Sequence, residues 1–290
     1  MTMSNEKTIK ELQRIFEIFK NSGAAIRPHF ILTGSSGSGK SHTIGALAEQ
    51  LKLKMLEINA AQLTKEGTSG NSLSKALTPL LNVGGKPAIC FVDEFDKLFI
   101  SGNANSSLAH ETTNGVQNEF LKVLEGKSTS VFGDYGKYVD APCDNILFVF
   151  AGAFNGEENI DLDRLREFGI KTEFLGRVGL TYALQKLSLA DLERILTKSS
   201  LLREYLVLFP NVKKDDVLRV IMAAVRENYE HNTLGARVLA TLIHQFFING
   251  GTLNEKQVAR STFQRTMDLE AQARDELASM SDADDLLGGE

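Results

Sequence analysis

Residues 34–41 read Gly34-Ser35-Ser36-Gly37-Ser38-Gly39-Lys40-Ser41, of the form G-x-x-x-x-G-K-[S/T]. The flanks decide how this stretch is read. Ahead of it, His29-Phe30-Ile31-Leu32-Thr33 is a short apolar run suited to a buried strand; behind it, Ile44, Leu47, Ala48 and Leu51 recur at helical spacing. A strand that enters a glycine-rich turn and leaves as a helix aims several backbone N–H groups and the positive end of the helix dipole at one point, a cradle for phosphate. Lys40 is placed to reach the β- and γ-phosphates and the Ser41 hydroxyl to ligate Mg²⁺. The expected nucleotide-binding set is therefore Gly34, Ser35, Ser36, Gly37, Ser38, Gly39, Lys40, Ser41 and the adjoining His42.

A second stretch completes the site. Ala88-Ile89-Cys90-Phe91-Val92-Asp93-Glu94 is an apolar strand ending in two acids. In a parallel α/β sheet, ligands collect at the carboxyl ends of the strands, where the phosphate loop also lies. Asp93 is expected to hold Mg²⁺ and Glu94 to polarise the water that attacks the γ-phosphate.

Composition bounds the rest. The 290 residues, 42% hydrophobic and 24% charged, suffice for one large or two modest domains. No apolar run approaches the roughly 20 residues that span a bilayer, and residues 1–7 lack the apolar core of a signal peptide, so a cytoplasmic protein is expected. Two cysteines, Cys90 and Cys143, give neither a disulfide framework nor metal-ligand spacing. A net charge of -5 offers no broad basic surface for a nucleic acid.

Along the chain, Ile9, Leu12, Ile15, Phe16 and Phe19 mark an amphipathic helix over 8–21, and 54–59 alternates as a strand. A polar stretch over 64–71, a helix over 72–81, a surface loop over 101–113, a helix over 116–124, a second loop over 128–144 and a buried strand over 145–151 are expected in turn. From 188 to 280 only 3.6-residue apolar periodicity remains, which predicts a small helical domain after a large α/β domain over 1–187; residues 281–290 form an acidic tail.

Several of these stretches together resemble the AAA+ ATPases, and among them the Clp/HslU unfoldase branch. Asp93-Glu94-Phe95-Asp96-Lys97-Leu98 is similar to its D-E-[I/F]-D-K-[I/L] run, followed by Gly115-Val116-Gln117 through Leu124-Glu125-Gly126. Ile146-Leu147-Phe148 with Gly152-Ala153-Phe154, then Glu173-Phe174-Leu175-Gly176-Arg177, then Gly235-Ala236-Arg237 follow in the branch's order. The resemblance implies a P-loop α/β domain whose parallel sheet has strand order 5-1-4-3-2, a helical lid, and ATP with Mg²⁺ bound between them. It also implies a ring, most simply a hexamer, in which Arg177 is the arginine finger for a neighbour's γ-phosphate and Arg237 the sensor in its own subunit. With Lys40 and Glu94, Arg177 makes up the expected catalytic set. The implied activity is ATP hydrolysis coupled to remodelling of a protein client. Action on nucleic acid as a loader or initiator, or a nucleotide-gated scaffold with little turnover, are the rival readings.

Departures from the branch's pattern qualify this. Its pore loop carries an aromatic where this chain has Gly67-Thr68-Ser69-Gly70, which offers little apolar area for gripping a polypeptide. The link between Gly156 and Phe168 is too short for the branch's peptidase-docking insertion, so no ClpP-type peptidase is expected as partner. No zinc module or intermediate domain is recognisable. The branch's adenine-contacting motif is also missing before Ile31, and Asn155 is the nearest polar residue to the expected first sensor.

Overall fold

The computed structural model describes residues 5–64, 71–100, 107–133, 136–157 and 160–253. The loop at 67–70, the helix expected over 254–280 and the tail at 281–290 lie outside them. The chain divides into two compact units, Met1–Ser188 and Leu189–Glu290.

The first unit opens with helix α1 (Glu6–Asn21), strand β1 (Phe30–Thr33), helix α2 (Lys40–Gln50) and strand β2 (Lys54–Asn59). Two short strands follow, β3 (Leu63–Thr64) and β4 (Asn71–Ser72), and then α3 (Leu73–Ala76), β5 (Ala88–Asp93), α4 (Lys97–Ile100) and α5 (Ser107–Glu125). A hairpin of β6 (Ser128–Phe132) and β7 (Tyr138–Pro142) leads to β8 (Ile146–Gly152), α6 (Leu162–Glu167), α7 (Thr172–Arg177) and β9 (Leu180–Ala183). Five strands form one parallel sheet in the order β2-β5-β8-β1-β9. Numbered along the chain, that is the order the resemblance implies.

The central strands read as unbroken apolar runs because both their faces are covered. Phe30, Leu32, Ile89, Phe91, Leu147 and Val149 pack with the apolar sides of α1 and α2, through Leu12, Phe16, Ile44 and Leu47. The alternate residues Ile31, Cys90, Val92, Phe148 and Phe150 pack with Val116, Phe120 and Val123 of α5 on the other face. Both cysteines are buried free thiols.

Three expectations are corrected. The stretch 128–144 is an antiparallel hairpin, with Ser128 opposite Pro142 and Phe132 opposite Tyr138, and not a loop. The helix expected over 72–81 stops at Ala76 and resumes as a short 3₁₀ turn, Thr78–Asn82, because Pro79 has no N–H to donate to an α-helical ladder. Helix α5 begins at Ser107, inside the expected loop; Gly115, at a cost of about 1 kcal/mol, does not interrupt it.

The second unit is helical over its described residues: α8 (Leu189–Thr197), α9 (Ser200–Leu208), α10 (Lys214–Glu227) and α11 (Arg237–Ile248). Its core gathers Leu192, Leu196, Leu202, Val217, Ile221, Leu242 and Phe246. Tyr205 of α9 stacks on Phe247 of α11 at 4.6 Å, and Ser199 caps α9 by accepting from the Leu202 N–H.

Candidate functional site

The glycine-rich loop connects β1 to α2. At Gly34, with φ +145°, a Cβ would lie 2.5 Å from the Leu184 carbonyl oxygen, so only glycine lets the loop pass the chain leaving β9. Gly39 enters α2 in the left-handed region, φ +91°. Lys40 is buried, and its ammonium folds back over the loop to donate to the carbonyls of Gly34 (2.6 Å) and Ser35 (3.2 Å). The Ser38 hydroxyl is buried in the same loop with no hydrogen-bond partner. The first turn of α2 carries no acid to compete for its dipole. His42 is exposed on α2.

The carboxyl end of β5 meets this loop. Ser41 Oγ donates to Asp93 Oδ2 at 3.2 Å, and Asp93 Oδ1 accepts from the Glu94 N–H at 2.9 Å. Glu94 has φ +55° and an exposed side chain. The left-handed turn therefore splays neighbouring acids, one held against Ser41 and the other outward. A non-glycine residue held in this conformation costs roughly 1–3 kcal/mol and recurs at functional sites.

Beyond Glu94 the chain is tied to the end of β8. The Phe95 N–H donates to the Ala151 carbonyl at 2.8 Å, and Asp96, 1% exposed, accepts from the Phe154 N–H at 3.0 Å. Phe154 and Asn155 are both left-handed, φ +45° and +57°, and Asn155 is exposed. Sequence reading gave Asp96 no role, although it is the third acid of the D-E-F-D run and so carried a signal.

Gln117 was also missed. Buried on α5, it donates to the Gly169 carbonyl (3.1 Å) and accepts from the Lys171 N–H (2.9 Å), pinning the segment that enters α7. Phe174 of α7 stacks on Phe95 at 5.3 Å and meets Phe150 edge-on at 5.0 Å. Arg177 at the end of α7 pairs with Glu125 of α5 at 2.7 Å, both side chains about half exposed. Arg237 is the first residue of α11 in the second unit, preceded by Gly235 with φ +56°.

Lys40, Ser41 and Asp93 thus converge at one end of a parallel sheet. The pattern of the "ATPase family associated with various cellular activities (AAA)" matches residues 30–174, half of the chain. The chain belongs to this AAA family. It is 28% identical over 279 residues to the "ATP-dependent Clp protease ATP-binding subunit ClpX" of Bacteroides fragilis, a match covering 79% of this chain and 67% of that protein. The ClpX subunit of Bacteroides thetaiotaomicron is also 28% identical, over 282 residues with the same coverage. That of Treponema denticola is 27% identical over 270 residues, covering 77% of this chain and 65% of its own length.

As an AAA ATPase the chain acts on ATP with Mg²⁺ as partner ion. The side chains suit both. A hydroxyl and a carboxylate are the hard oxygen ligands Mg²⁺ takes beside phosphate and water. The described residues hold no cluster of three or more His, Cys, Asp and Glu that would instead favour a metal held by protein alone. The unpartnered Ser38 hydroxyl and the ammonium resting on its own loop fit an anion. Among the described residues, no helix is long and apolar enough to cross a membrane.

Proposed function

We propose that this AAA ATPase forms a ring, most simply a hexamer, in the cytoplasm and uses ATP hydrolysis at subunit interfaces to remodel protein clients without a ClpP-type peptidase. The observation that carries the hydrolytic reading is the turn at the end of β5: Asp93 held by Ser41, with Glu94 turned outward beside it. Ser41 and Asp93 would hold Mg²⁺, which supplies a Lewis acid at the phosphoryl oxygens. Lys40 exchanges its loop carbonyls for the β- and γ-phosphates, and the N–H groups over 34–39 cradle the same oxygens. Glu94 polarises the attacking water.

Arg177, on an exposed helix end, acts on the neighbour's γ-phosphate, where a planar guanidinium offsets charge developing in the transition state. Arg237 senses nucleotide from the helical domain, taken as residues 188–280. Assembly is supported by apolar side chains left in solvent on that domain, with Val207 76%, Leu208 72% and Ile248 75% exposed. A protein client is supported by the ClpX relatives, whose name joins them to a protease.

The test is Glu94→Gln, which preserves shape and charge-independent contacts. It should lower turnover on the order of a hundred-fold or more while ATP binding persists, the scale of a general-base contribution. In the presence of ATP it should also retain an unfolded model polypeptide. Parental turnover would remove Glu94 from the mechanism. A steep, salt-dependent affinity for DNA in place of polypeptide retention would overturn the client assignment.

A further inference from the structure

We propose that Asp96 is a positioning residue for hydrolysis: its buried carboxylate locks the turn bearing Asn155 to the turn bearing Glu94, so that the two strand ends behave as one body. Three observations converge. Of the five non-glycine residues with positive φ in the described chain, three lie here: Glu94, Phe154 and Asn155. Such conformations persist only where surrounding bonds over-determine them. Here two bonds join the strained turns, Phe95 N–H to the Ala151 carbonyl at 2.8 Å and Phe154 N–H to Asp96 Oδ2 at 3.0 Å.

The third observation is the room left for the carboxylate. A Cβ at Gly152 would stand 2.8 Å from Asp96 Oδ1, 2.9 Å from Asp96 Cβ and 2.7 Å from the Phe154 ring. Any larger residue at the end of β8 would press on Asp96 and on the Phe154 ring, the two residues that this bond joins, and one or both must shift. Phe95, between the two acids, is wedged among Phe150, Phe174 and Phe120 at 4.8, 5.3 and 6.2 Å, which leaves the backbone between Glu94 and Asp96 little freedom to absorb a shift. Strand β8 ends in Phe150-Ala151-Gly152, without a polar side chain of its own. The link from β5 instead reaches across to set the polar residue that follows, Asn155. Asp96 touches neither Lys40 nor the Ser41–Asp93 pair in any bond described above, so its contribution belongs to turnover and not to nucleotide affinity.

The inference rests on the assignment of Glu94 as the water-polarising residue, and the experiment separates the two. Full-length Asp96→Ala, Asp96→Asn, Gly152→Ala and Glu94→Gln are compared with the parent, with turnover expressed per nucleotide-binding site titrated by a fluorescent ATP analogue, so that partial misfolding does not enter. Misplacing a catalytic group by about 1 Å costs on the order of a hundred-fold. Asp96→Ala is expected to lose turnover on that scale, with nucleotide affinity within about three-fold of the parent. Asp96→Asn, which keeps an oxygen to accept from the Phe154 N–H, should recover most of the loss. Gly152→Ala should resemble Asp96→Ala. Parental turnover in Asp96→Ala or in Gly152→Ala overturns the proposal, as does equal loss in Asp96→Asn and Asp96→Ala, or a loss of affinity matching the loss of turnover. Parental turnover in Glu94→Gln would instead overturn the reading beneath it, whatever the Asp96 variants do.

Discussion

Replacing Glu94 by glycine should destroy activity and yet stabilise the fold relative to replacing it by alanine. At φ +55° any L-residue carries the left-handed penalty, roughly 1–2 kcal/mol. Glycine does not, but its freer unfolded chain returns about 0.5–1 kcal/mol of that advantage. The Glu94 side chain is exposed, and the bond from its N–H to Asp93 survives in both variants. Side-chain losses therefore cancel when Glu94→Gly is compared with Glu94→Ala, leaving glycine ahead by about 0.5–1 kcal/mol. The same pair at Glu11, exposed in the middle of α1, serves as control and should favour alanine by about 1 kcal/mol. Urea titrations at matched conditions give both differences, and neither requires activity. If glycine is the less stable of the pair at position 94, as it should be at position 11, the turn is not strained and its geometry carries no functional information.

Further outcomes follow from other parts of the molecule. Arg177→Ala should keep nucleotide binding and lose on the order of a thousand-fold in turnover; mixed rings with Lys40→Ala should regain part of it, and failure of mixed rings, verified by mass, to do so would exclude action in trans. His29 is buried with its Nδ1 accepting from the Phe148 N–H, and burial, aided by the Arg27 charge, holds it at about 4 against an ordinary 6.5. Its neutral form is thus favoured in the folded state, so stability is intact above about pH 6.5, declines as pH falls towards about 4 and levels off below, by on the order of 3 kcal/mol at most. His29→Gln should flatten that part of the urea-derived stability profile; an unchanged slope would refute it. Burial raises the Cys143 thiol to about 11 and Cys90 still further, so native protein at pH 8 should resist alkylation while unfolded protein takes up two equivalents by mass. Rapid labelling of native Cys143 would contradict its burial.

Much of this was legible before any coordinates. The loop at 34–41 and the strand closing in Asp93-Glu94 announce themselves because phosphate chemistry restricts both residue type and spacing. The central strands do so because burial on both faces leaves no room for polar residues. The edge strand Leu180–Ala183 carries no such signal, being partly exposed throughout, and was reachable only through the resemblance. The hairpin was missed for a related reason: in Tyr138–Pro142 only Ala141 is buried, so no alternation shows. Thr129, Val131, Phe132, Tyr138 and Val139, β-formers around a glycine-bearing connection, were the available clue. The D-E-F-D run flagged Asp96 as a residue, but what Asp96 and Gln117 do was not legible, because each acts on backbone from distant sequence, Phe154 for one and Gly169 and Lys171 for the other, and pattern alone does not reveal which N–H a buried side chain will meet.

The sheet order also has a consequence for how the chain is made. Phe30 pairs with Val149 on one side and Leu180 on the other, 119 and 150 positions further along the chain. At typical synthesis rates the later partner emerges roughly 8 to 30 s after β1 itself. Until the strand bearing Val149 is made, Phe30-Ile31-Leu32, fully buried in the finished molecule, must wait with both edges unpaired, and one edge stays open until Leu180 follows. The nascent chain therefore carries, for a large part of its synthesis, an unpaired apolar segment of the kind prone to aggregate. The strand that delivers the chain into the nucleotide cradle is thus among the first made and among the last to gain both of its neighbours.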